Sequence, residues 1–517
     1  MKRILALLIC SVMMLSLFTA CGSSEGETPA AEQKIESFSV GYAKADVTPK
    51  DSVPLRGYGD AMERFSTGFS EPLYATCVAF ADPSGEKLIF ITHDLTNSDK
   101  SVMEKLREDI SAETGIPVSH ILLSASHSHS SPDYSQTGVP AINTYIEYFQ
   151  QQCLQGAKDA LADLAPATMQ TGYDRVDGLN TVRHYLLTDG SYQGKSVGTL
   201  PKNQLVGHHS KVDNLLQVVK FDRGDKSPVV LVNWCGHPMG QGDALYTMAS
   251  PNYPGILRDE LNKKYGCDVA FVLSGSGNVN NNSQIAGDIV QTSYVDLGQR
   301  LAAAVGEIID NKLTDSKVDK IILEENIYNH MSNKGYDMQI PLYAFSIGDW
   351  ACVTAPFEIF DTNSMAVRDA SKFKMTFYAS CANDALGYLP TPPSYHFDIT
   401  YEANITKFPE GTSTDVQDQL IQMLDKIFTA SGNELVEKGE GYNTPEFVPS
   451  TNDVVYYRLS EPKAVKNGFY AVGMSDGKLF SQDMLCVDKE TADKVAALNV
   501  MKVVLNEQSV IVDVIPQ

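Results

Sequence analysis

Residues 38–430 alternate short β-branched runs with longer helical patterns, and this alternation limits the fold more than any other feature of the chain. The strand-like runs are Leu88–Thr92, Ile121–Ser124, Leu215–Phe221, Pro228–Trp234, Asp268–Leu273, Ala351–Thr354 and Met375–Tyr378. Helical patterns cover 100–114, 141–163, 252–265, 286–311 and 413–430. In the last of these, Val416, Leu420, Met423, Leu424, Ile427 and Phe428 share one face. Strands that alternate with helices predict an α/β body whose sheets are covered by helices. Residues 431–452 are rich in Gly, Pro, Asn and Glu and read as a linker. Residues 453–517 carry several short apolar runs and one helical run near 490–499, which predicts a small β-rich domain.

The first residues read MKRILALLICSVMMLSLFTACGSS. Lys2 and Arg3 precede an apolar stretch that is short for a membrane span and has the form of an export signal. Phe18-Thr19-Ala20-Cys21-Gly22 resembles the bacterial lipobox, which implies cleavage after residue 20 and a lipid on Cys21. Residues 21–37 are then a flexible tether. These features predict an exported lipoprotein, held on the surface of a bacterial membrane by its lipid. Of the remaining cysteines, Cys77, Cys153, Cys235, Cys267, Cys352, Cys381 and Cys486 form no CxxC pair, and most lie in apolar runs. Buried free thiols are expected.

The chain holds 41 Lys+Arg against 64 Asp+Glu, a formal net charge of −23. Loss of residues 1–20 removes two basic and no acidic groups, giving −25. Nucleic acid needs clustered cations, so it is excluded as a partner. No protein partner is implied. The same acidity favours a neutral or zwitterionic substrate over an anionic one.

Chemistry gathers where predicted strands end. Ile121–Ser124 runs into Ala125-Ser126-His127-Ser128-His129, and on an extended chain the two imidazoles would share a face. By itself an HxH pair is a weak signal, because hydrogen-bonded surface histidines give the same pattern. Val229–Trp234 leads to Cys235-Gly236-His237-Pro238, a second strand-end histidine. Ligands of α/β sheets collect beyond the carboxyl ends of strands. Glu358 follows another strand and a proline. Tyr388, in Asn383-Asp384-Ala385-Leu386-Gly387-Tyr388, would on its chemistry alone be a packing residue. The strand ending at Leu273 opens into a Gly, Ser and Asn loop suited to exposed amides near a ligand.

Taken in order, these segments resemble the neutral (non-lysosomal) ceramidases, zinc amidases that cleave the N-acyl bond of ceramide. The likeness starts at Val40-Gly41-Tyr42-Ala43-Lys44-Ala45-Asp46-Val47-Thr48 and runs through SASHSHSSP, VNWCGHPMG, Pro356-Phe357-Glu358, NDALGYLPT and Tyr401-Glu402-Ala403. It implies mixed β-sheets flanked by helices, and zinc held by His127, His237, Glu358 and Tyr388. It also implies a proton relay at His129, with Arg183 and Tyr401 facing the developing oxyanion. One position departs: Asn280 stands where the family has its active-site serine. An amide is no nucleophile, so Asn280 is left a hydrogen-bonding role in catalysis. The expected activity is zinc-dependent cleavage of ceramide or a related N-acyl lipid by metal-activated water. The alternatives are a zinc hydrolase of the same fold acting on another amide or ester, and a non-catalytic surface lipoprotein that binds lipid.

Overall fold

A computed structural model of the chain describes residues 35–187, 192–194, 205–208, 210–239, 246–396, 399–444, 454–465, 468–475, 481–505 and 510–517. The export signal, Cys21 and most of the tether lie outside the described residues.

Three sheets build the body. The first runs Ile121–Ala125, Lys87–His93, Tyr74–Ala81, Ser39–Asp46, Ala165–Pro166, in spatial order. The second runs Asp268–Leu273, Lys226–Trp234, Leu215–Arg223, Thr168–Arg175, Thr314–Ser316. The third runs Ile321–Met331, Asp337–Ile347, Trp350–Thr354, Met375–Ala379. Each is mainly antiparallel but carries one parallel pair at its edge: Lys87–His93 with Ile121–Ala125, Lys226–Trp234 with Asp268–Leu273, and Trp350–Thr354 with Met375–Ala379. The sheets are therefore mixed, as expected.

The three sheets face one another across a single apolar core. Trp350 is its hub, with ring centroids 6.1 Å from Phe80 of the first sheet, 6.1 Å from Phe221 of the second and 5.4 Å from Phe345 of the third. Burying each such side chain is worth roughly 1.5–3 kcal/mol, and the tilted ring contacts add to that. Helices cover the outer faces. Lys100–Thr114 and Pro140–Ala162 pack on the first sheet, Tyr253–Tyr265 and Tyr294–Asn311 on the second, Asp361–Ala370 and Thr412–Ser431 on the third. The pattern over 286–311 becomes helix only from Tyr294, because the Ser293 side chain caps the Asp296 N–H and fixes the start there.

Residues 432–444, within the expected linker, lie against the body. Tyr442 is fully buried: its hydroxyl donates to Gln217 Oε1 at 2.8 Å and accepts from the Thr376 N–H at 2.8 Å. The Arg175 guanidinium donates to the carbonyls of Gly441, Tyr442 and Asn443. Beyond this segment a sheet of six strands, with Lys489–Ala496 against it, forms the β-rich C-terminal part. The seven cysteines are buried and free. Among the described residues no helix is long and apolar enough to cross a membrane.

The carboxyl ends of the three parallel pairs meet. The Ala125 N–H donates to Cys381 O, Ser380 N–H to Leu273 O, and Ser274 N–H to Trp234 O. This places the loops after Ala125, Trp234, Leu273, Thr354 and Ala379 around one point.

Candidate active site

His127 and His129 come from the first sheet, His237 from the second and Glu358 from the third. The first strand ends at Ala125, so the extended geometry expected for the His pair does not hold. His127 adopts φ 66°, a left-handed conformation that costs an imidazole-bearing residue roughly 1–2 kcal/mol. Its N–H donates to Leu95 O at 3.0 Å, and the turn brings its ring over the others. Ring centroids of His127, His129 and His237 lie 4.9–5.4 Å apart.

The polar atoms are arranged as a donor set. His127 Nε2 lies 3.2 Å from His129 Nε2 and 3.3 Å from Glu358 Oε2, and Glu358 Oε2 lies 3.4 Å from His237 Nε2. His127 Nδ1 sits 2.5 Å from Thr96 O, and His237 Nδ1 sits 3.0 Å from Val279 O. A carbonyl can only accept, so both rings carry the proton on Nδ1 and turn the Nε2 lone pair inward. His237 Nε2 and Glu358 Oε2 are buried without a hydrogen bond among the described residues. Lone pairs packed this closely suit a cation between them. Ligand bonds of about 2.0–2.1 Å in a tetrahedron put donor atoms about 3.3 Å apart, which suits zinc. The three histidines could therefore hold a metal ion, and Glu358 adds an anionic donor. Burial raises the Glu358 pKa, but His127 and His237 beside it hold it well below the usual carboxylate range. His129 differs from the other two rings. Its Nδ1 has no partner among the described residues, and burial beside His127 and His237 pushes its pKa down.

A second layer stands beside this cluster. Short strands Thr181–Val182 and Val279–Asn280 pair, and Arg183 follows the first. Its guanidinium donates to Glu402 Oε1 at 2.6 Å, Gly277 O at 2.8 Å, Tyr388 Oη at 3.3 Å and Asn280 Oδ1 at 3.4 Å. The other Glu402 oxygen lies 3.0 Å from His184 Nε2. Burial raises the Glu402 pKa, yet Arg183 and His184 bring it down to about 2. Tyr388 sits opposite Glu358 in a parallel two-strand ladder, and burial with Glu358 nearby raises its phenol. Tyr401 is half-exposed, its ring 5.7 Å from that of Tyr388.

His127, His129, Arg183, Asn280, Glu358, Tyr388, Tyr401 and Glu402 line one cavity of about 650 Å³, whereas His184 and His237 do not. Gly57 closes it over His129; a Cβ there would collide with the His129 Cβ. Tyr58 stands edge-on to the same imidazole at 5.3 Å. Thus His127, His129, Arg183, Asn280, Glu358, Tyr388 and Tyr401 share the cavity wall, and His237 backs it. The sequence reading assigned no role to Glu402, His184 or the carbonyls of Thr96 and Val279. Glu402 could have been found there, as a carboxylate next to Tyr401.

Residues 38–240 match the sequence profile of the family described as neutral/alkaline non-lysosomal ceramidase, N-terminal. His127, His129, Arg183 and His237 fall inside that stretch, whereas Asn280, Glu358, Tyr388 and Tyr401 lie beyond it. The fold is similar to that of the neutral ceramidase from Pseudomonas aeruginosa, with a TM-score of 0.61 and 15% identity over 85% of this chain and 84% of that one. A ceramidase complexed with C2 matches with the same TM-score, identity and coverage. The chain matches no curated protein sequence.

Proposed function

We propose, from a chain whose residues 38–240 belong to the neutral/alkaline non-lysosomal ceramidase family, that the protein is a zinc-dependent amidohydrolase acting on the N-acyl amide of ceramide or a related N-acyl lipid. The observation that carries this reading is the inward-facing set of His127 Nε2, His237 Nε2 and Glu358 Oε2, with two tautomers fixed by carbonyls. These three hold the metal, with Tyr388 as the fourth donor across the ladder from Glu358. Zinc supplies activation of water at neutral pH and polarisation of the amide carbonyl.

The remaining work falls to the chain's own groups. His129 lies against the cluster, and among the described residues no partner fixes its second nitrogen, so it can take a proton and return it to the leaving amine. Arg183, locked by Glu402, faces the carbonyl oxygen as charge develops, and Tyr401 joins it from the open side of the cavity. The Asn280 amide cannot attack, so the acyl group passes directly to water, and Asn280 helps to orient the substrate. Asn280 also favours the second reading, a hydrolase of this fold whose substrate is another amide or ester.

Purified protein offered a short-chain ceramide and simple N-acyl amines is expected to release fatty acid. Chelation should abolish the release and added zinc restore it. Release that persists on protein shown to be metal-free would sink the reading. Turnover of simple amides without ceramide would favour the second one.

The protein is further proposed to be exported and tethered through a lipid on Cys21, where its substrate resides. Cys21→Ser is expected to move the protein from the membrane fraction to the soluble one. Equal membrane partitioning of the two forms would refute the anchor.

A further inference from the structure

The imidazoles of His127 and His237 are oriented by carbonyls that accept from Nδ1, and that of His129 is not. Its Nδ1 meets no hydrogen-bond partner among the described residues, so packing must hold the ring against the cluster. The loop at residues 55–64 does the packing. Gly57 lies over the His129 Cβ, and the Tyr58 ring stands edge-on to the imidazole, with centroids 5.3 Å apart.

That loop closes on a buried cation. Ala61–Glu63 form a short turn, started by the Asp60 side chain, which accepts from the Met62 N–H at 2.9 Å. Arg64 follows, and its carbonyl accepts from the Leu55 N–H at 2.8 Å, so the loop returns on itself. Asp60 and Glu63 are exposed, yet Arg64 is fully buried. Its guanidinium donates to Tyr246 O at 3.1 Å, His129 O at 3.2 Å, Tyr58 O at 3.4 Å and Leu55 O at 3.5 Å. The Tyr58 and Tyr246 rings lie on it, with centroids 4.9 Å and 5.0 Å from its central carbon. Burying a charge is costly unless its donors are answered, and here carbonyls from segments far apart in the chain answer them. A planar fork reaches these carbonyls together and stacks on aromatic faces, which a lysine ammonium cannot do.

We infer that Arg64 is the positioning residue of His129: it grips the His129 main chain by its carbonyl and holds the Tyr58 ring against the imidazole, and so sets the direction of the inward nitrogen. This rests on the amidohydrolase reading, with His129 as the proton carrier. Arg64 is buried and does not line the cavity, so it acts only through the residues it holds.

The test combines two substrates with ring signals, on the full-length protein. N-octanoylethanolamine needs its leaving amine protonated, whereas p-nitrophenyl octanoate releases a phenolate that departs without a proton. Arg64→Met is expected to lose about a hundredfold in kcat on the amide with KM unchanged, as for a group misplaced by about 1 Å. Its loss on the ester is smaller by about tenfold or more. Arg64→Lys restores part of the amide rate. In a His129→Ala background Arg64→Met costs nothing further. In histidine-labelled protein the His129 ring, identified by its loss in His129→Ala, gives a single sharp NMR signal in wild type and a broadened or doubled one in Arg64→Met, while those of His127 and His237 stay single. Tyr58→Ala alters a partly exposed side chain and leaves Arg64 in place, and it is expected to give the same pattern even if Arg64→Met fails to fold. Equal losses on amide and ester, a further loss in the His129→Ala background, or an undisturbed His129 signal in either folded variant overturns the inference. A disturbed His129 signal in a protein that hydrolyses neither substrate refutes the catalytic reading and leaves the positioning role standing.

Discussion

His237→Ala is expected to lose its zinc and about a thousandfold or more in turnover, whereas His129→Ala keeps the zinc and loses turnover alone. The contrast follows from the partners of each ring. His237 Nδ1 is committed to Val279 O and His127 Nδ1 to Thr96 O, so each presents one lone pair in a fixed direction. His129 Nδ1 has no such partner among the described residues. Removing His237 leaves His127, Glu358 and Tyr388, and takes away one of the two imidazoles whose lone pair is fixed in direction. Removing His129 leaves those donors in place and takes away the proton carrier. Metal analysis beside a hydrolysis assay separates the two variants. Zinc lost from His129→Ala to the same extent as from His237→Ala would make His129 a ligand and end its assignment as relay.

Glu402→Gln is the second large effect. The carboxylate neutralises Arg183 and accepts from His184, all three being buried or nearly so. The isosteric amide leaves a cation without its counter-charge, which costs about 3–5 kcal/mol. For a body of this size that is roughly 4 °C in Tm. Turnover is expected to fall about a hundredfold, because Arg183 is no longer held toward the carbonyl oxygen. The pH dependence has a definite sign. The Glu402 pKa is depressed from 4.5 to about 2, so its contribution is complete above the ordinary value and fades as pH falls through the lower one. The gap in stability between wild type and Glu402→Gln should therefore close between about pH 4 and about pH 2. A gap of constant size over that interval in denaturant titrations would show that the ion pair does not carry the effect.

Much of the fold was legible because the strands at the parallel edges are continuous apolar runs. Ile121–Ala125, Asp268–Leu273 and Trp350–Thr354 are buried almost throughout, so both faces had to be apolar. The long pair Ile321–Met331 and Asp337–Ile347 was not anticipated. Alternate residues of the first strand, Glu325, Ile327, Asn329 and Met331, face solvent, so polar and apolar side chains share its outer face and no single run stands out. Asp361–Ala370 was missed for a related reason, since Asp361, Asn363, Ser364 and Arg368 are polar yet buried, which blurs the helical period. At the site, the strand-end histidines and Glu358 could be picked out as side chains. The carbonyls of Thr96 and Val279 could not, because every residue has one and only the fold chooses which are used. Glu402 needed Arg183, 219 positions earlier, to give it meaning. The left-handed turn at His127 likewise comes from the Leu95 carbonyl that its N–H meets, a contact no local pattern encodes.

The meeting of the three parallel pairs has a consequence for how the body holds together. Each sheet delivers at least one donor to the same point, and those donors lie far apart in the chain. An ion bound there acts as a rivet through three plates. The sheets must be docked before all the donors exist together, so the ion binds the completed body and not its parts. By mass action it then weights the ensemble against any state in which one sheet has swung away. Starving the chain of metal would thus loosen the seams between the sheets at this end, while each sheet with its own pair of helices stays intact.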